Sequence, residues 1–262
     1  MKKFNLLLST IALCALFTIA SCNKEKLKGK GPITLHFDNR AGSADFAFLT
    51  NYTNAAGEEL QFTTFKYYVS NFVLVKADGS EYVLPQETTY HLLNEANSSS
   101  LEFTLTDIPA GEYTKLKFIV GVDSLRSTMD VASRTGDLDP AGAGADMYWS
   151  WNSGYIFYKI EGTSPASTEM GNMFMYHVGG YGGYSTPSTN NIRTIQLTAP
   201  STITAGEGHA PEVHIYADVL EAFKTPTAYS IASGAMVHMP ASASVIADNY
   251  ADMFKIDHVH NE

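Results

Sequence analysis

The residues able to do chemistry in this chain are its eight histidines, nine methionines and two tryptophans. Imidazole and thioether are the donors that hold soft and borderline metal ions such as copper. His177 ends an alternating run, Met173-Phe174-Met175-Tyr176-His177-Val178, and precedes the Gly-rich stretch Gly179-Gly180-Tyr181-Gly182-Gly183. A strand end before such a loop is where binding sites are commonly built. His238 lies between Met236 and Met239. His258-Val259-His260 is an H-x-H pair whose side chains face one way on a strand, although so near the end it reads equally as a frayed tail. His36, His91, His209 and His214 read as structural or solvated. Asp137, Asp139 and Asp146 stand in a Gly-rich stretch that suits a hard cation, without the spacing of an EF-hand. Trp149 and Trp151 sit two apart, share one strand face, and there fill a core.

Other chemistries find little support. There is no G-x-S-x-G elbow, H-E-x-x-H helix, Walker loop or dinucleotide glycine pattern, and the chain is expected not to be an enzyme. The two cysteines are Cys14 and Cys22. Cys14 lies in an apolar segment, so a chain beginning at Cys22 has no disulfide and no thiolate metal site.

That apolar segment is an export signal. Lys2 and Lys3 precede apolar residues 4–20, a length typical of a signal-peptide core and too short for a stable span. It ends in Ile19-Ala20-Ser21-Cys22, which resembles the lipobox of bacterial lipoproteins. The resemblance implies cleavage before Cys22 and acylation of that residue, with two or three acyl chains giving a stable membrane anchor. The expected location is the bacterial outer membrane or periplasm. Removing residues 1–21 takes away Lys2 and Lys3 and no acid, moving the formal charge from −10 to −12. That balance argues against a nucleic-acid partner.

The remainder must position these side chains, and it reads as sheet. Residues 22–31 are Lys- and Gly-rich and read as a lipidated tether; residues 32–262 read as one domain. Ile33, Leu35 and Phe37 alternate with Thr34, His36 and Asp38, the period of a half-buried strand. Strands are expected at residues 60–75, 81–84, 101–105, 113–120, 156–162, 173–178, 192–197, 212–219 and 255–259. Turn residues separate them, as in sandwiches. Residues 124–147 read as a long loop. Residues 241–254 read as a short helix, with Pro240 suiting its start. The expected fold class is all-β, a β-sandwich-like single domain with long loops and one short C-terminal helix.

Several blocks in order along the chain resemble the MbnP-like copper-binding family. They are Tyr67-Tyr68-Val69-Ser70-Asn71 with Leu74, Gly121-Val122-Asp123, and Asp139-Pro140. The most specific is Met147-Tyr148-Trp149-Ser150-Trp151-Asn152-Ser153-Gly154-Tyr155, followed by Lys159-Ile160-Glu161-Gly162. His177-Val178-Gly179-Gly180, Met236-Val237-His238-Met239-Pro240 and Met253-Phe254 complete the set. The resemblance implies a periplasmic or surface protein. In characterised relatives, copper is held by two histidines and a tryptophan oxidised to kynurenine, the oxidation being attributed to a partner di-haem peroxidase. Carried onto this chain, it makes His177, His238, Trp149 and Trp151 the candidate metal residues. Intact indole has no in-plane lone pair; opening it to kynurenine creates an aromatic amine and a ketone that do. Two alternatives stand beside this reading: an adhesion module whose exposed aromatics stack on a glycan or protein partner, and a purely structural lipoprotein.

Overall fold

The computed structural model describes residues 26–149, 154–184 and 186–261. The signal segment, Cys22 and Trp151 lie outside the described residues. The chain runs through β1 (Lys30–Ala41), β2 (Ala44–Asp45), β3 (Tyr52–Thr53), β4 (Glu59–Lys76), β5 (Glu81–Val83), β6 (His91–Asn94), β7 (Glu102–Pro109) and β8 (Gly111–Val120). A four-residue helix α1 (Ser124–Ser127) follows, then β9 (Tyr148–Trp149), β10 (Gly154–Thr163), β11 (Met173–Gly179), β12 (Arg193–Ala205) and β13 (Glu212–Asp218). Last come β14 (Met236–Val237), α2 (Ser244–Tyr250) and β15 (Phe254–His260).

These strands make two sheets packed as a sandwich. One has the order β15-β13-β1, with β7 and β2 along the free side of β1. The other has the order β12-β8-β4-β10-β11-β14, with short strands added along β4 and β10. The period-2 alternation in the sequence becomes the burial pattern directly. Ile33, Leu35 and Phe37 of β1 point into the sandwich with no exposure, as do Val213, Ile215 and Ala217 of β13. The opposing sheet supplies Phe62, Phe65 and Tyr67 of β4, Phe118 of β8 and Tyr176 of β11.

The strand at 60–75 is one bent element, β4. It turns at Asn71, whose φ of 57° shifts the register with β8 between Ser70 and Val73. Asn tolerates this left-handed conformation better than most residues. The turn is held by Asn71 Nδ2 donating to Asp123 Oδ2 at 2.7 Å. β1 opens at Lys30, paired with Pro109, within the stretch read as tether. The expected helix at 241–254 is shorter: Pro240 opens a 3₁₀ turn, α2 covers Ser244–Tyr250, and Phe254 already belongs to β15. The long loop at 124–147 is organised by α1 and three 3₁₀ turns. With β9 and β10 it builds a second small core of Tyr68, Leu92, Val122, Leu138, Met147, Trp149, Tyr155, Ile156 and Phe157.

His91 shows what burial does to an ionisable group here. Its ring lies flat on Phe103, centroids 3.6 Å apart and 11° from parallel, and its Nε2 is buried with no hydrogen-bond partner. Burial pushes its pKa down to about 4, only partly opposed by Asp137. Between pH 6.5 and 4 the unfolded chain binds a proton at this position and the folded chain does not, so stability falls as the pH falls. The expected loss between pH 7.5 and 5 is about 2 kcal/mol. It is measured as the difference in urea-unfolding pH dependence between the wild type and His91→Phe. Equal slopes for the two proteins would refute it.

Candidate metal centre

β11 and β14 form the edge of the larger sheet and run parallel, with Met175 opposite Met236 and Tyr176 opposite Val237. Beyond the two-residue β14 the two chains are joined through a side chain. The Asn191 side-chain amide donates both to the Gly179 carbonyl at 2.7 Å and to the Pro240 carbonyl at 2.8 Å. Register pairing ends at Tyr176/Val237, and His177 and His238 are the next residues on the two chains, which are joined further on through the Asn191 side chain. Neighbouring strands lie about 4.8 Å apart. Phe174, Tyr176, Val178 and Val237 point inward and are buried. The alternate residues Met173, Met175, His177, Met236 and His238 therefore share the outer face. Met173 and Met236 are exposed there, unusual for a thioether unless it has a ligand or partner to meet.

His177 is held from behind. Its Nε2 is 2.7 Å from Oε1 of Glu161, a residue paired with Met175 across β10 and β11. Thr64 donates to the other Glu161 oxygen at 2.8 Å, and Lys159 lies 3.6 Å away. The His177 contact, reinforced by Thr64 and Lys159 against the effect of burial, brings the Glu161 pKa down to about 2. A carboxylate accepting at Nε2 places the imidazole proton there and leaves Nδ1 with its lone pair, the arrangement that orients metal-binding histidines. Lys159 and Lys66 also reach Asp146, at 3.3 and 2.8 Å.

Trp149 is brought to the same place from β9. A Cβ on Gly179 would fall 2.6 Å from Cζ3 and 2.9 Å from Cη2 of Trp149. Gly179 is thus required because the Tyr155 carbonyl oxygen, 2.5 Å from that position, and the indole both crowd its backbone. Gly179 follows His177 by two residues, so the indole and the His177 imidazole occupy adjacent places on one face. Trp149 is 7% exposed and belongs to the second core. Packing is therefore part of its role, and it does not offer an open stacking platform.

The donor set fits a soft cation. Two imidazoles and two thioethers, Met175 and Met236, border one patch, and such ligands favour Cu(I). The acidic candidates are otherwise engaged. Asp137 accepts from Leu92 N at 2.9 Å, Asp139 from Ala141 N at 2.8 Å, and Asp146 takes the two lysines. The remaining histidines sit elsewhere. His209 precedes β13, and His36, His214, His258 and His260 gather on the outer face of the smaller sheet. There burial, followed by the neighbouring imidazoles, holds the His214 pKa below its usual value. The H-x-H pair is no frayed tail: it is the paired end of β15.

The fold defines a β-sandwich-like class, with nitrogen and sulfur side chains along one edge of its larger sheet. The family model for MbnP matches residues 30–239, and the chain belongs to the MbnP family. Among solved structures, MbnP from Methylosinus trichosporium is similar, with 18% identity, a TM-score of 0.49, and coverage of 73% of this chain and 76% of that one. No curated protein matches.

Proposed function

We propose that this protein is a lipid-anchored cell-envelope protein that binds copper ion in copper acquisition or handling. His177 and His238 are the imidazole ligands, and Trp149 is the residue that, once oxidised, completes the site. The observation that carries the reading is the parallel β11/β14 pairing, which sets Met175 opposite Met236 and makes His177 and His238 the residues that follow the paired positions on the two chains. Family membership supports copper as the ion. Opening the Trp149 indole to kynurenine supplies an amine and a ketone as donors and requires an external oxidant, the role the family resemblance gives to a di-haem peroxidase. This chain's own part is to hold the indole against Gly179, orient His177 through Glu161, and keep the methionines at the rim. Cys22 carries the acyl anchor in this reading.

The test is copper content and peptide mass of the mature protein purified from its own host's envelope. About one copper per chain is expected, lost in His177→Ala/His238→Ala and weakened about 10–100-fold in Glu161→Gln. The peptide bearing Trp149 and Trp151 should contain a tryptophan that has gained one oxygen and lost one carbon, and fragmentation should locate it at Trp149. Unmodified tryptophan and no copper after Cu(I) addition would remove the reading.

A further inference from the structure

On the other face of the sandwich three strands bring histidines into one row. His36 of β1 is the register partner of His214 of β13, and His214 is the partner of His258 of β15. Directly opposed residues project from the same side of a sheet. His260, two residues on from His258, projects from that side as well. The rings are in contact: His214 and His258 stack with centroids 4.2 Å apart, His258 and His260 meet edge to face at 4.7 Å, and His214 and His260 at 5.4 Å. One ring nitrogen from each of these three lies within 4.8 Å of the others.

Two features separate this cluster from a chance crowding of imidazoles. His214 Nε2 is buried and has no hydrogen-bond partner; the closest carboxylate oxygen, on Glu212, is 3.8 Å away, beyond hydrogen-bond reach. A buried polar atom without a partner is costly and uncommon. Behind the cluster, Asp257 Oδ2 lies 2.6 Å from His258 Nδ1, which fixes that nitrogen as the protonated one and turns Nε2 outward. His36 stacks on the far side of His214 at 5.1 Å and is itself held by Glu102 at 3.2 Å. A carboxylate behind a histidine is the usual outer shell of a metal ligand.

We propose that His214, His258 and His260 form a second metal site, for a borderline divalent cation of the Zn(II) class, on the outer face of the smaller sheet. Three imidazoles leave the fourth tetrahedral position open to water or an external ligand. With metal–nitrogen bonds of about 2.0–2.1 Å the nitrogens must draw in to roughly 3.4 Å. Side-chain rotation at the strand ends supplies that closure. The site stands apart from the copper reading: it uses the other sheet, and His258 and His260 lie beyond residues 30–239, which the family model matches.

The test uses the whole mature protein, stripped with a chelator and carrying His177→Ala/His238→Ala so that the β11/β14 donors do not contribute. Zn(II) is the probe, titrated against a chromophoric chelator. About one Zn(II) per chain is expected, and His258→Ala or His260→Ala added to this background should weaken it by about tenfold or more. His260 is exposed at the end of its strand, so His260→Ala leaves the core untouched, and the far-ultraviolet spectrum checks the fold. X-ray absorption of the Zn(II) complex should show a shell of three imidazoles. A folded background protein that takes up no Zn(II), unchanged affinity in both added variants, or an all-oxygen shell would overturn the proposal.

Discussion

Replacing Phe37 with alanine is expected to cost the fold about 3–5 kcal/mol, the usual range for removing a fully buried phenylalanine. Phe37 has no exposed surface and stands where the sheets meet. It stacks on Phe103 of β7 at 5.9 Å and meets Tyr67 of β4, Phe118 of β8 and Phe254 of β15 edge-on at 6.1 to 6.4 Å. Its loss opens a void bordered by both sheets, and partners on four separate strands cannot all relax into it. The midpoint of urea unfolding should fall with an unchanged slope, and the melting temperature should drop by roughly 10 °C for a protein of this size. Phe48→Ala, at a partly buried position on the margin of the same core, should cost clearly less. A loss below about 1 kcal/mol at Phe37 would mean the sheets are not packed through this residue.

Asn191→Ala is expected to strike stability and the proposed copper site together. Asn191 is fully buried and outside any strand. Its amide donates to the carbonyls of Gly179 and Pro240, its side-chain oxygen accepts from Ser244 at 3.1 Å, and its main-chain carbonyl accepts from Tyr250. Alanine takes the side-chain donor from the Gly179 carbonyl and leaves the Pro240 carbonyl with only its 3.3 Å bond from Ala243 N, so a loss of about 1–3 kcal/mol is expected. It also removes the bonds that tie the chain after β14 to the end of β11, on which the proposed use of His177 and His238 together depends. Copper affinity, measured by competition against a chelator under conditions where the variant is folded, should fall with stability. Zn(II) affinity at the His214 cluster should be retained, since that face makes no contact with Asn191. Unchanged copper affinity in a destabilised variant would show that Asn191 supports the fold alone.

Local pattern made much of this molecule legible in advance. Alternation of apolar and polar residues in β1, β11 and β13 fixed which side chains face the core, because successive residues of a strand point to opposite sides. His36 is thereby placed on the polar face of the first strand from sequence alone. Gly179 reads as part of a loop, but its real constraint is the Tyr155 carbonyl and the Trp149 ring against its backbone, which no local signal reveals. The short helix was visible from its apolar spacing, though its true length was set by Met253 and Phe254 being drawn into the core and β15.

Pairing was beyond reach, and both metal readings depend on pairing. β1 lies parallel to β13 although the two are about 170 residues apart, and no property of either segment names the other. Hence His36, His214 and the H-x-H pair read as isolated residues, while in the structure they stand in one row. The sequence by itself determined which donor side chains are present and the all-β class, since these follow from side-chain chemistry and a two-residue period. Only the tertiary structure decided which donors meet, because strand partners are chosen by burying apolar faces drawn from the whole chain, and a shift of one residue would send every histidine to the opposite side.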